Sequence, residues 1–106
     1  MTSSQGFELH PGAAQDITEI WRFIADDNAS AATRFREEIL ETIRKLAAFP
    51  YQGHTRRDLT SRPLRFQTIG DYLIAYAPDE KPLLVIAVIH GRRNPRIMAA
   101  VLRERD

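Results

Sequence analysis

Apolar side chains in the first half of the chain recur at helical spacing in two stretches. The first follows Pro11, a residue suited to the first turn of a helix, and its apolar stripe consists of Ala13, Ile17, Ile20, Trp21 and Ile24. The second ends at Pro50, and its stripe consists of Ala32, Phe35, Ile39, Ile43, Leu46 and Phe49. The connection at 26–28 is short, and either Asn28 or Ser30 caps the second helix. This spacing predicts an antiparallel helical hairpin that buries both stripes on another layer.

The pattern changes to that of extended chain at the N-terminus and again after residue 63. Residues 7–10 alternate apolar and polar, as a half-buried strand does. Residues 64–69, 72–77 and 83–89 are separated by short turns, at Gly70-Asp71 and at 78–82, which predicts an antiparallel meander. The run 83–89 is apolar at every position, so we expect a central strand covered on both faces.

A short C-terminal helix is expected after Asn94-Pro95, a capping side chain followed by proline at the first helical position. Residues 50–63 lack periodicity, which predicts a long loop. The element order β-α-α-β-β-β-α predicts an α+β fold: an N-terminal strand and an antiparallel helical hairpin packed on an antiparallel β-sheet meander, with a short C-terminal helix. At 106 residues we expect a single domain, 1–106.

Composition removes several classes of function. The chain has no cysteine, which excludes disulfides and thiolate metal sites. It has no apolar run long enough to cross a bilayer and no signal-peptide pattern after Met1, so we expect a soluble, cytoplasmic protein. Residues 1–50 carry a net charge of −3 and residues 51–106 one of +4. This asymmetry indicates either an anionic or macromolecular partner of the second half or simply a solvated arginine-rich surface.

The sequence lacks the common catalytic motifs: it has no glycine-rich phosphate-binding loop and no G-x-S-x-G nucleophile motif. Its three histidines are not spaced as metal ligands are, so we expect no metal and no cofactor. A basic group remains, made up of His54, Arg56, Arg57, Arg65, His90, Arg92 and Arg93. If the long loop folds over the strand ends, these side chains converge on one sheet face. Such a cluster binds phosphate, or stabilises phosphoryl transfer with histidine as acid or base. Pairing of single arginines with nearby acids is the structural alternative.

Three aromatic residues are expected to be structural. Trp21 lies on the first helix's apolar stripe, which favours packing over stacking on a nucleobase. Tyr72 and Tyr76 share a strand face with Ile74 and are expected to pack there.

An ordered series of residues resembles the ParE/RelE superfamily of type II toxins, including the ParE-like proteins of plasmid stabilisation systems. The resemblance covers roughly residues 7–93. Its main pieces are Phe49-Pro50 with Gly53, Arg57-Asp58-Leu59, Arg65, Ile69-Gly70 with Tyr72, Ile74 and Tyr76, and Val85 and Val88 before His90-Gly91-Arg92-Arg93.

The resemblance implies one of two activities. ParE-like members poison DNA gyrase by protein binding and are silenced by a ParD-like antitoxin with an acidic C-terminal segment, in a toxin–antitoxin hetero-oligomer. RelE-like members are ribosome-dependent, metal-free endoribonucleases with a basic cluster and usually an aromatic residue or histidine near the C-terminus. No aromatic residue or histidine follows His90, and Lys45 is the only lysine of the second helix. The ParE-like branch is therefore favoured, with gyrase as the expected target.

On the ParE-like interpretation we expect no catalytic residue and no direct binding of nucleic acid. The residues expected to bind the antitoxin or the target are basic: Arg56, Arg57, Arg65, His90, Arg92, Arg93 and Arg96. The alternative is an mRNA interferase with His90 or His54 as the proton-transfer group and Arg65, Arg92 and Arg93 on the scissile phosphate.

Overall fold

The structure, a computed structural model, describes residues 6–105. Its elements follow the predicted order: β1 Phe7–Leu9, α1 Pro11–Ala25, α2 Ala29–Ala48, β2 Arg65–Ile69, β3 Tyr72–Ala77, β4 Leu83–His90 and α3 Pro95–Glu104. Side chains cap each helix start: the amide of Gly12 donates to His10 Nδ1 at 2.9 Å, and that of Ala31 to Asn28 Oδ1 at 2.9 Å. Asn94 Oδ1 caps α3 in the same way. The structure thus selects Asn28 as the α2 cap.

The four strands form one sheet in the order β1-β4-β3-β2. The predicted meander is confirmed, because β2, β3 and β4 pair antiparallel. The N-terminal strand, however, pairs parallel to β4, with Phe7 opposite Leu83 and Leu9 opposite Val85. The helical hairpin and the loop after it carry the chain to the opposite edge, where β2 lies. The meander then brings β4 back beside β1, which makes the sheet mixed and places β4 between β1 and β3.

Both faces of the sheet are covered, as the apolar run in β4 predicted. On one face the stripes of α1 and α2 pack on side chains that include Ile74, Tyr76 and Val88. On the other face a second cluster joins Met98 and Leu102 of α3 to Ile86 and Ile89 of β4, with Leu59 and Leu64 of the long loop. The loop is therefore fastened by two buried leucines rather than free of the domain.

Beyond Val85, no strand within residues 6–105 pairs with β4 on its β1 side, and an ion pair covers this edge instead. Asp16 Oδ2 accepts a hydrogen bond from the backbone amide of Val88 at 3.0 Å. Arg105 donates to Asp16 through Nη1 at 2.6 Å and Nη2 at 3.1 Å, and to the carbonyl of Ile86 at 3.1 Å. Backbone groups that would otherwise lack partners are thus satisfied by one residue from α1 and one from the end of the chain.

Phe49 is a correction to the predicted α2 stripe, because its side chain is 69% exposed. The helix ends at Ala48, and Phe49 has φ −131° and ψ 74°, outside the helical region. A residue that precedes proline is driven away from the helical conformation, so Phe49 leaves the phase that would have directed its ring inward. Trp21 is partly buried as expected, and its indole Nε1 donates to Thr33 Oγ1 of α2 at 3.3 Å.

Candidate functional site

An open cleft of about 530 Å³ lies where the helical hairpin meets the β2–β3 turn and the end of β4. The side chains that line it are mainly aromatic or apolar, with one carboxylate and one imidazole: Phe23, Ile24, Phe35, Asp71, Tyr72 and His90, with Gly70 in the turn. Gly70 has φ +55°, a left-handed value that glycine adopts without strain in a two-residue hairpin turn. We call this site the His90 cleft.

Three rings are arranged in series within the His90 cleft. Tyr72 lies 5.6 Å from Phe35 in a tilted arrangement and 5.1 Å from His90 in an edge-to-face arrangement, measured between ring centroids. Such geometries are the favourable ones for aromatic pairs. Burial, and secondarily the charge of Asp71, raises the pKa of the Tyr72 hydroxyl. Tyr72 is therefore a neutral phenol at physiological pH and acts as a packing surface for its neighbours.

His90 is held by the turn that follows it. The amide of Arg92 donates to His90 Nδ1 at 3.1 Å, and the amide of Arg93 donates to the His90 carbonyl at 3.0 Å. Because Nδ1 accepts, the neutral imidazole carries its proton on Nε2. The ring thus has one defined nitrogen available to a partner.

A positively charged surface adjoins the cleft. Arg92, Arg93 and Arg96 are all exposed, and within residues 6–105 their side chains make no hydrogen bond or ion pair. Ile97, on the first turn of α3, is 45% exposed beside them. Three guanidinium groups that form no ion pair with a described residue, next to an aromatic cleft, form a surface suited to an acidic, partly apolar partner.

The expected convergence of all the basic residues on one site is wrong. Arg65 pairs across the sheet with Tyr76, which pairs with Val85, whereas His90 pairs with Tyr72, which pairs with Ile69. Arg65 and His90 thus both lie on the face covered by α1 and α2. The position on β2 level with His90 is Ile69, four residues from Arg65, which corresponds to about 13 Å at the usual strand rise. The register of the hairpin, which the sequence pattern does not reveal, places them at opposite ends of the sheet.

Arg65 has local contacts of its own. Its Nη1 donates to the carbonyl of Gly53 at 2.7 Å and to that of Tyr51 at 3.3 Å, and the guanidinium lies over the Tyr51 ring, 5.3 Å from its centroid. The Tyr51 hydroxyl in turn bonds to Asp79. These contacts fix the turn after α2, so Arg65 positions backbone at this end of the sheet.

His54, Arg56 and Arg57 lie in a third place. His54 forms an antiparallel bridge with Phe66, with backbone hydrogen bonds of 2.9 and 2.7 Å. Residues paired in this way point to the same sheet face, so His54 lies on the Phe66 face, opposite to that of Arg65. Arg56 is bound by both its Nε and its Nη2 to Asp58, which is the acid pairing that the sequence left open for single arginines.

Sequence reasoning missed Phe23, which is 75% exposed at the rim of the His90 cleft. The available signal was its phase: Phe23 lies off the α1 stripe, where a ring remains in solvent. It also missed the Asp16–Arg105 pair, which joins residues 89 positions apart. No local pattern reveals such a contact.

None of the helices within 6–105 is long and apolar enough to cross a membrane. In the same part of the chain, no group of three or more histidine, aspartate or glutamate side chains is placed to hold a metal ion.

A protein-family model for the ParE toxin of the type II toxin–antitoxin system parDE matches residues 7–95. The chain belongs to the ParE toxin family. The match runs from β1 to the first residue of α3, so it includes the His90 cleft and Arg92 and Arg93. A search of curated proteins gives no match. As a ParE-family protein the chain is the toxin of a type II toxin–antitoxin module, and its partner there is a cognate antitoxin.

Proposed function

We propose that this ParE-family toxin inhibits DNA gyrase by binding to it in the cytoplasm, without catalysing a reaction. A ParD-like antitoxin with an acidic C-terminal segment neutralises it in a hetero-oligomer. The family supports the toxin role, and the resemblance described above supplies gyrase as the target class.

The separation of Arg65 from His90 is the observation that carries the proposal. Acid–base cleavage of RNA requires the proton-transfer group and the phosphate-binding groups within hydrogen-bond reach of one phosphate. Arg65 lies about 13 Å from the His90 rung of the sheet and already donates to the carbonyls of Tyr51 and Gly53. The full basic set therefore does not form one active site, which favours a binding role.

The His90 cleft and the adjoining arginines are the proposed binding surface. Arg92, Arg93 and Arg96 offer charge to an acidic segment, and the rings of Phe23, Phe35 and Tyr72 offer an apolar contact. An amphipathic acidic peptide meets both requirements, since apolar anchors supply affinity and complementary charge supplies rate and specificity. Arg56, Arg57 and Arg65 lie away from this surface and are secondary candidates.

The proposal is tested in cells by inducing the toxin alone and together with its antitoxin. We expect growth arrest and progressive relaxation of a reporter plasmid, both reversed by the antitoxin. The double variant Arg92→Ala/Arg93→Ala is expected to weaken both effects, whereas Arg36→Ala, which removes an exposed charge from α2, leaves them unchanged. Growth arrest with full plasmid supercoiling would contradict gyrase as the target.

The second candidate is a RelE-like mRNA interferase that uses a smaller set of groups. One observation favours it: His90, with its protonated Nε2, adjoins Arg92 and Arg93, so these three residues alone could act on one phosphate. Primer extension on mRNA from induced cells distinguishes the two candidates. Cuts in phase with codons that disappear in His90→Ala would establish the interferase, and their absence during growth arrest would exclude it.

A further inference from the structure

A small pocket lies within the long loop, on the part of the surface away from the His90 cleft. Its volume is about 190 Å³, against about 530 Å³ for the His90 cleft. Eight residues line it, of which Pro63 and Leu64 are apolar and the other six have hydroxyl or guanidinium groups: Thr55, Thr60, Ser61, Arg56, Arg57 and Arg62. Groups of these two kinds suit a compact ligand that accepts hydrogen bonds.

Arg62 is the fixed part of this pocket. Its Nη1 donates to the carbonyls of Leu102 and Arg105, at 2.6 Å each, and so closes the end of α3. Both acceptors are neutral, so the positive charge of Arg62 has no counterion in residues 6–105. The remaining N–H groups of Arg62 have no partner among these residues, and its position is set before any ligand arrives.

The other two arginines of the pocket, Arg56 and Arg57, differ in whether an acidic side chain pairs with them. Arg56 is held by Asp58 through two hydrogen bonds, of 3.0 and 2.8 Å, and these lower the pKa of the Asp58 carboxyl. Arg57 is exposed and makes no hydrogen bond or ion pair with any described residue. The pocket therefore has two guanidinium groups that form no ion pair within residues 6–105, those of Arg57 and Arg62.

The hydroxyl groups complete the donor set. Thr60 Oγ1 accepts a hydrogen bond from the amide of Arg62 at 3.0 Å, which leaves its own O–H to donate. Ser61 and Thr55 are exposed hydroxyls on the same pocket. Donors of this kind together with planar guanidinium groups are the usual partners of tetrahedral oxyanions.

We propose that this pocket binds a small dianionic oxyanion, phosphate or sulfate, free or as a terminal phosphomonoester. The two guanidinium groups that have no paired acid among residues 6–105 match two negative charges, and the hydroxyl groups beside them suit the oxygens of a tetrahedral group. The pocket shares no lining residue with the His90 cleft, so its binding of an oxyanion can be tested separately from the proposed action on gyrase.

The test is a titration of the intact protein with inorganic phosphate, followed by amide chemical shifts at constant ionic strength. We expect saturable shifts confined to residues 55–64 and the end of α3, with millimolar affinity, similar shifts with sulfate, and none with chloride. Arg57→Ala should bind phosphate about tenfold more weakly, the order expected for the loss of one charge-assisted hydrogen bond. Since Arg57 is exposed and its side chain makes no hydrogen bond or ion pair within residues 6–105, this variant is expected to fold normally.

Two controls test whether binding is specific to this pocket and to the phosphate group. Arg36→Ala removes an exposed arginine elsewhere and should bind phosphate as the unaltered chain does. A 5′-phosphorylated dinucleotide should compete with phosphate, and the same dinucleotide without the terminal phosphate should not. Unsaturable shifts, equal affinity in Arg57→Ala, or competition by the unphosphorylated dinucleotide would each overturn the proposal.

Discussion

Replacing Asp16 by alanine is predicted to destabilise the fold far more than an ordinary surface charge would. Asp16 accepts three hydrogen bonds, two from Arg105 and one from the amide of Val88, and the two side chains of the ion pair are only 17% and 19% exposed. Asp16→Ala leaves the Val88 amide without an acceptor and Arg105 without its counterion.

The magnitude follows from burial and from the position of Arg105. Removing one partner of a fully buried ion pair costs about 3–5 kcal/mol. The Asp16–Arg105 pair is partly exposed rather than fully buried, so water can solvate the guanidinium that is left, which places the loss at the lower limit, about 3 kcal/mol. For a domain of this size that loss lowers Tm by about 10–20 °C. Asp16→Asn keeps an oxygen acceptor and should cost about half as much.

The assay is urea unfolding followed by the fluorescence of Trp21, the only tryptophan in the chain. Glu41→Ala serves as the matched control, because Glu41 pairs with Arg44 on the surface of α2 at 57% and 41% exposure. Such a pair contributes about 0.5 kcal/mol or less. If Asp16→Ala unfolds within 1 kcal/mol of the control, the ion pair does not hold the open edge of β4, and this account of the C-terminal contact is refuted.

Three further predictions use other parts of the structure. The pKa of all three tyrosine hydroxyls is raised, by burial for Tyr72 and Tyr76 and by the Asp79 hydrogen bond for Tyr51. Phenolate absorbance should therefore appear at higher pH in the native protein than in the protein unfolded in urea. Because the pKa is higher in the folded state, stability should be retained below about pH 10 and fall above it. Coincident titration curves of the native and the unfolded protein would contradict this. Gly53→Ala should lower the free energy of unfolding by about 1–3 kcal/mol, because a Cβ there lies 2.5 Å from Tyr76 Oη and 2.7 Å from the Phe66 carbonyl. Calorimetry compares this variant with Gln52→Ala, and equal stability of the two would refute the prediction. Phe23→Ser should weaken antitoxin binding at least about tenfold without changing Tm, as loss of an exposed aromatic anchor does; titration calorimetry with the cognate antitoxin measures it, and unchanged affinity would remove the His90 cleft from the interface.

The local elements were predictable because their determinants are local. Helical periodicity, Asn94-Pro95 and Pro50 placed three helices to within a few residues, and the unbroken apolar run in β4 correctly indicated a strand covered on both faces. The alternation at Phe7–Leu9 indicated a strand but contained no information on its partner. Its parallel pairing with β4 depends on the helical hairpin crossing to the far edge of the sheet and the meander returning to β1.

The sequence pointed to a group of basic residues, but the fold distributes them over separate places. His90, Arg92 and Arg93 are adjacent in sequence and stay together, whereas Arg65 is placed at the far end of the sheet by the hairpin register. Contacts between distant residues, such as the bond from Arg62 to Leu102, depend on the packed fold, and no spacing rule anticipates them. Phe23 was missed for a related reason, since an aromatic residue outside the apolar stripe has no assigned partner until the neighbouring surface is known.

The central claim, inhibition of gyrase by binding, is tested most directly by supercoiling of relaxed plasmid in a reaction containing only gyrase, ATP and purified toxin, with no ribosome or mRNA. The account predicts loss of supercoiling or accumulation of cleaved DNA as toxin is added, reversed by antitoxin and weakened in Arg92→Ala/Arg93→Ala. Undiminished supercoiling without cleaved DNA, at toxin concentrations that saturate the antitoxin, would contradict it.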